Sequence, residues 1–567
     1  MVSLKPPRGT ENGSYSPRQT TDFGRLAALG VLSLALLLRL WGIGWALPNA
    51  TRYFSYHPDE SVVTMASLSV NPLLLRLDPH FYSYGTLSLF LNSLAIQAAH
   101  ALGLAANGPV AGVPGAGELL AARMVTALLG AATCGFIYGT GRVLRGRVCG
   151  LVAAALYAVA PLAVQHGHWA TVDVPATFWI AGALYFAVRV ASNESRAADF
   201  VWCGVFAGLA AATKYNGGLV LLAGLAALVV RRENQRPANV LKLCGAAAAA
   251  FVVGCPTILL NPYDLVTKGI LFEGTHVARG GDLAFARTAS GFWFHVAVNL
   301  AWGLGPPLTG IALVAFAAAL RRRASGDLVL LAFAIPYYVL IGMAQIKFAR
   351  YTLPLFPPML LFVGVLAADI RAYAARSRAP SVRVATLAGG AALAAAATYA
   401  LVFAAALDQT MTLPDTRDRA AAYLRAQGIV TVGVPTGPWF YSPTLEPFLD
   451  SPFPPVPRTA LGSSTGAALL PTVRNDDWDS ALLAATAPDA VAISEYEYAD
   501  AQRLRLTDAR AYLSAVSRAY PHRIVFSQPM QVFGLSFTGM DESGGLPVQH
   551  LPHDMLYANP AVVVYTK

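Results

Sequence analysis

Residues 26–47 read LAALGVLSLALLLRLWGIGWAL, an apolar run of bilayer length broken by one charge, Arg39. Soon after it comes His57-Pro58-Asp59-Glu60. Two adjacent carboxylates where a span leaves the bilayer are costly to desolvate, which makes them functional candidates. The rest of the chain agrees with a membrane reading. Of its 567 residues 55% are hydrophobic and only 13% charged, with a mean hydropathy of +0.50, far from a soluble average.

Charge divides the chain in two. Residues 1–407 carry 30 Lys and Arg against 15 Asp and Glu, whereas 408–567 carry 11 against 16. The expected organisation is therefore a cytoplasmic segment 1–25, a basic membrane domain 26–407 and an extracytoplasmic α/β domain 408–567. The basic excess lies mostly in short loops between apolar runs, where it sets topology and argues against nucleic acid as a partner. All five cysteines fall before residue 260 and form no CxxC pair, so neither a disulfide framework nor a cysteine metal site is expected. No small-residue cleavage site follows a short apolar core, and 26–47 reads as a retained anchor.

The fold class expected is an α-helical multi-pass membrane protein with eleven spans, at 26–46, 119–141, 151–165, 174–192, 200–214, 217–230, 240–260, 293–320, 328–344, 352–370 and 384–407. Arginine clusters at Arg142/Arg145/Arg147, Arg231/Arg232/Arg236, Arg321/Arg322/Arg323 and Arg371/Arg376/Arg378/Arg383 mark cytoplasmic turns. Parity then makes 48–118 one long outer loop, with interfacial helices, and places the tail outside. The tail alternates helical patterns (417–427, 479–487, 499–519) with strand-like runs (429–434, 490–494, 523–526, 561–565), as a small α/β domain does. Asn49-Ala50-Thr51 is a formal glycosylation sequon, a pattern common by chance.

The outer-facing segments bring His57, Asp59, Glu60, His80, Tyr84, Arg123, His166, His168, Asp173, Lys214, Lys347, Arg350 and Tyr351 to one membrane level. A carboxylate that stays ionised can take a proton from a hydroxyl, and Lys and Arg beside it suit a phosphate. A lipid phosphate whose tail stays in the bilayer fits such a site. Plainer roles compete: Asp59 and Glu60 after Pro58 suit the first turn of a helix, and Asp173 suits an N-cap. Lys214 and Arg39 suit snorkelling, and Lys347 and Arg350, three apart before Tyr351, suit interface anchoring. His166 and His168 share no helix face, so no metal pair is expected.

In order along the chain, Asp59-Glu60, HFYSYGTL at 80–87, ATVDVP at 170–175, Thr213-Lys214-Tyr215, KFARYTLP at 347–354 and HDMLYANP at 553–560 resemble the polyprenyl-phosphate-sugar-dependent GT-C glycosyltransferases. The subgroup in view is that of the protein O-mannosyltransferases and aminoarabinose transferases. The resemblance implies a cell-membrane enzyme of the envelope, with site and tail on the extracytoplasmic side. It implies inverting transfer from a polyprenyl-phosphate sugar to a lipid, glycan or protein acceptor. Asp59 is then the general base. Lys214, Lys347, Arg350 and Arg123 hold the donor phosphate, and Glu60, His57, His80, Tyr84, His168, Asp173 and Tyr351 contact sugar or acceptor. No cofactor is specified, and a divalent metal stays open. Tyr84-Gly85-Thr86-Leu87 departs from the His/Lys-Pro-Pro-Leu run of many relatives, and 261–292 aligns to no role. A transporter or lipid-linked-sugar flippase is the alternative class. The one-sided charges and the lack of an internal repeat favour the enzyme.

Overall fold

The computed structural model describes residues 17–567 except 50–51, 109–111, 194, 232–234 and 446–471. Residues 1–16, most of the sequon and Arg232 therefore lie outside the described part.

Among the described residues six helices are long and apolar enough to cross a membrane: Ala116–Arg145, Asp173–Ala191, Pro237–Gly254, Ser325–Gly342, Ala349–Arg376 and Pro380–Ala426. A seventh is available if Arg147–Ala158 and Pro161–His168, bent by 64°, form one broken span. The chain is a multi-pass membrane protein. Among the described residues the count by length and apolarity is six or seven, and several of the other expected spans are short or interrupted helices. Ala197–Thr213 and Tyr215–Val230 are two short apolar helices, joined at Lys214, which has extended backbone. The expected span 293–320 breaks at Gly305, where φ is +85° and two prolines restart the helix at Pro306.

Within the expected outer loop, helix Pro58–Ser69 starts with Pro at its first position and His57 as N-cap, and Leu87–Ala101 follows. Segment 261–292 is structured: a π-helix Leu265–Leu271 runs into helix Phe272–Arg279. One close contact fixes the path between these parts. A Cβ on Gly85 would lie 2.0 Å from the carbonyl oxygen of Ala212, so only glycine lets Tyr84-Gly85-Thr86 press against the end of the Ala197–Thr213 helix. Thr86 Oγ1 completes the contact by donating to the Gly254 carbonyl at 2.8 Å.

The tail has strands β1 (Thr431–Val434), β2 (Thr472–Asn475), β3 (Ala490–Ser494), β4 (His522–Phe526), β5 (Gln531–Val532), β6 (Leu535–Ser536) and β7 (Val562–Thr566). Five form one sheet in the order β2-β1-β3-β7-β4. β1 runs parallel to β2 and β3, and β7 antiparallel to β3 and β4. Alternate residues feed two cores. Ala490, Ala492, Val562 and Val564 pack with Ala420 and Leu424, while Val491, Ile493, Val563 and Tyr565 pack with Leu483, Tyr498, Tyr512 and Val516. Helices therefore cover both faces, which is why AVAIS and VVVYT are continuous apolar runs and not alternating ones. The sequence pattern missed β2, and the expected helix 499–519 is two, Glu495–Leu504 and Thr507–Ala519.

Hydrogen bonds seat the tail on the membrane part. Asp554 accepts the backbone N–H groups of Ala349 and Arg350, both at 2.8 Å. Gln165 Nε2 donates to the Met555 carbonyl at 2.9 Å, and Asn559 Nδ2 donates to that of Thr410, at the end of the long Pro380–Thr412 helix that leads into the tail, at 2.9 Å.

Candidate active site

Asp59 and Glu60 are adjacent in sequence and opposite in environment. Glu60 is fully buried. Its Oε1 accepts from Arg123 Nε (2.7 Å) and Ala170 N (2.8 Å), its Oε2 from Arg123 Nη2 (2.7 Å) and Ser55 Oγ (2.6 Å). Burial pushes this carboxyl up, but the charge and hydrogen bonds of Arg123 outweigh it and hold Glu60 below the usual carboxylate range. Glu60 and Arg123 thus lock helix Pro58–Ser69 to the Ala116–Arg145 span. Their expected roles on sugar and donor phosphate do not fit a pair closed on itself.

Asp59 points the other way. Its side chain is 27% exposed and its Oδ2 lies 2.8 Å from Arg350 Nη2. Arg350 is a hub: its Nε lies 3.8 Å from Asp173 Oδ2 and its Nη1 3.8 Å from Asp554 Oδ2, with Nη1 also 3.3 Å from the Tyr557 hydroxyl. The guanidinium sits 4.0 Å from the centre of the Phe348 ring. Asp173 opens its helix, but the cap position is Val172; the carboxylate instead takes Lys214 Nζ at 2.6 Å. Lys214 in turn stands 4.8 Å from the Tyr351 ring centre. Asp59, Arg350, Asp173 and Lys214 form one continuous chain of opposite charges.

Two cavities meet at this chain. One, about 640 Å³, is lined by Asp59, Arg350, Phe348 and Tyr557 and by tail residues. The other, about 410 Å³, has Lys214 and Asn216 at one part of its wall and apolar residues such as Ile270, Val277, Leu340 and Met343 along the rest. Ser83, Tyr84, Glu273 and Tyr351 line both. Burial, then the charge of Asp59, pushes the Tyr84 hydroxyl well above its ordinary value, so it stays protonated as a donor.

The remaining expected residues stand elsewhere. His57 is buried; its Nδ1 accepts the Glu60 N–H at 3.3 Å, and burial lowers its pKa well below the ordinary value, so it is a neutral cap. His80 is mostly exposed beside Asp78, at φ +50°, and lines neither cavity. His168 is buried, with Nε2 2.9 Å from the Trp41 carbonyl. Lys347 is 4% exposed. It donates to Thr288 Oγ1 at 2.7 Å and the Ala289 carbonyl at 3.0 Å, so it braces the 280–290 loop and faces neither cavity. Arg39 does not snorkel: it is fully buried, donating to the Ala35 carbonyl at 2.8 Å. Sequence reasoning missed Asp554, Tyr557 and Glu273. The first two lie in the quoted HDMLYANP stretch, whose role as a clamp on Arg350 only the fold reveals. Among the described residues no group of three or more His, Cys, Asp or Glu side chains is placed to hold a metal ion.

With this geometry in view, residues 112–259 match the family model described as "Dolichyl-phosphate-mannose-protein mannosyltransferase". The chain resembles the polyprenyl-phosphate-sugar-dependent GT-C glycosyltransferases. No curated protein matches by sequence. Similar solved structures include ArnT from Cupriavidus metallidurans bound to undecaprenyl phosphate, at 15% identity, covering 90% of this chain and 97% of that one, with a TM-score of 0.48. Another is the oligosaccharyltransferase AglB from Archaeoglobus fulgidus with an inhibitory peptide and a dolichol-phosphate, at 13% identity, 94% and 77% coverage and a TM-score of 0.46. A third is the protein O-mannosyltransferase Pmt1-Pmt2 complex of S. cerevisiae bound to the sugar donor, at 17% identity, 41% and 33% coverage and a TM-score of 0.31. With TM-scores below 0.5, none of these likenesses assigns a residue or a substrate to this chain.

Proposed function

We propose that the protein is a glycosyltransferase that moves a sugar from a polyprenyl-phosphate carrier to an extracytoplasmic acceptor, with inversion at the anomeric carbon. The observation that carries the proposal is the junction of two unlike cavities. The apolar one suits the isoprenoid beside the carrier phosphate. The other holds Asp59 and receives the sugar and the acceptor. In this reading Lys214 meets the phosphate as a point charge and Arg350 as a fork.

The step balances simply. The acceptor hydroxyl oxygen forms the new bond to the anomeric carbon as the bond from that carbon to the phosphate oxygen breaks. The acceptor proton passes to Asp59, and the polyprenyl phosphate leaves with the bonding electrons. Arg350 orients Asp59, while Lys214 and Arg350 stabilise the charge that grows on the phosphate, the term usually largest in such catalysis. Asp173 positions both cations.

The test is a donor panel: purified protein with radiolabelled polyprenyl-phosphate sugars, following which label leaves the carrier, beside Asp59→Asn. The wild type should release or transfer label from at least one donor, and Asp59→Asn should bind that donor without turnover. Wild-type-like transfer by Asp59→Asn would remove it from the mechanism.

A further inference from the structure

The tail-facing half of the larger cavity is built from other chemistry than the half at Arg350. It is walled by the rings of Trp439, Tyr441, Trp478 and Tyr496, with the carboxylates of Glu497 and Asp500 among them. Trp439 is 39% exposed although the tail has two apolar cores that would bury such a ring. Trp478 sits on a strained turn: Asp477 and Trp478 are consecutive non-glycine residues at φ +47° and +58°, a left-handed conformation side chains disfavour. The turn is held by the Trp478 N–H donating to the Pro435 carbonyl at 3.1 Å. The ring packs edge-on against Tyr512, 5.6 Å between centres, and lines the cavity from there; strained backbone of this kind clusters at ligand clamps.

Aromatic faces interleaved with carboxylates match a sugar, which has apolar C–H faces to lie on rings and hydroxyls to donate to acids. Glu497 already accepts from Ser494 N at 2.8 Å and from the Thr436 hydroxyl, yet its carboxyl group keeps further acceptor sites in either protonation state. Charge narrows the choice further. Asp59, Glu273, Asp282 and Asp500 face this cavity against the guanidinium of Arg350, with Asp500 also paired to Arg503 at 2.8 Å, a balance that still disfavours an anionic ligand. A peptide bound by strand addition needs a free sheet edge, and among the described residues no strand of the tail lines the cavity.

We propose that this half of the cavity is an acceptor subsite for a neutral glycan, with sugar rings stacked on Trp439 and Trp478 and hydroxyls donating to Glu497 and Asp500. The proposal rests on the glycosyltransferase reading above and names the acceptor class for it. The tail then has a task in catalysis: it selects the acceptor and holds its terminal hydroxyl toward Asp59.

The test is saturation-transfer NMR on the full-length protein in detergent with mannohexaose, cellohexaose and maltohexaose, and a Ser/Thr-containing dodecapeptide as the contrasting probe. At least one oligosaccharide should take up saturation, and the signal should fall at least fivefold in both Trp439→Ala and Trp478→Gly. Trp439→Ala removes a ring that is already exposed; Trp478→Gly adds no backbone strain at φ +58° but takes away packing on Tyr512, so its thermal unfolding is measured beside the NMR signal. Polyprenyl phosphate affinity and label release to water should be unchanged in both variants. No response to any oligosaccharide, a response that survives both substitutions, or a response to the peptide alone overturns the proposal. Failure of the underlying reading looks different, since the wild type would then neither bind polyprenyl phosphate nor release label.

Discussion

Substituting Glu60 and Asp59 one at a time should separate a structural acid from a chemical one. Glu60→Gln keeps the side chain's size but removes its charge and turns one acceptor into a donor that faces Arg123 or its neighbours. Arg123, fully buried, then becomes an uncompensated cation, and breaking a buried pair from one side costs about 3–5 kcal/mol. Asp59→Asn is expected to cost less, since its carboxylate is 27% exposed and the buried Arg350 keeps Asp173 and Asp554 at 3.8 Å. Turnover should follow the opposite order. Loss of a general base lowers the rate by about 10²–10⁴-fold, whereas folded Glu60→Gln should keep most of its activity per molecule. The assay is thermal unfolding in detergent at a fixed scan rate, because membrane proteins seldom unfold reversibly, beside transfer of labelled sugar. A Glu60→Gln protein that melts with the wild type yet has lost turnover would refute the assignment, as would an Asp59→Asn protein that unfolds.

Two further outcomes follow from the same geometry. Lys214→Ala should weaken polyprenyl phosphate binding by about 10–100-fold, the worth of one hydrogen bond to a charged group. Lys347→Ala should leave that affinity near wild type and instead raise hydrogen exchange across 280–290; equal losses in both variants would contradict the bracing role. In the tail, burial pushes Glu497 up to about 7 from its usual 4.5. The unfolded chain therefore ionises first as pH rises, and this stability is full below 4.5 and lost as pH climbs through about 7. Glu497→Gln should flatten that part of the stability profile, and an unchanged slope between pH 4.5 and 7 would dismiss Glu497 as its source.

Much of the architecture could be read from local pattern. Runs of bilayer length, arginine clusters between them and the continuous apolar strands AVAIS and VVVYT need only neighbouring residues to be recognised, because burial on one or both faces imposes its period on the sequence. The order of the short motifs was enough for the resemblance, and the structure brings Asp59 together with Arg350, Asp173 and Lys214. What each charge does was not legible. Asp59 and Glu60 are one residue apart and equally acidic, yet Glu60 is spent on Arg123, 63 positions away, and Asp59 on Arg350. Lys347 resembles Lys214 in sequence context, but only Lys214 meets a carboxylate and a cavity. Asp554 clamps Arg350 from 204 positions away. The local sequence therefore pointed to acids and cations that belong together, and packing settled which of them close on each other and which line a cavity. The physical reason is that desolvating a charge costs several kcal/mol unless a partner meets it, and which partner lies within reach is a property of the folded chain, not of the local sequence.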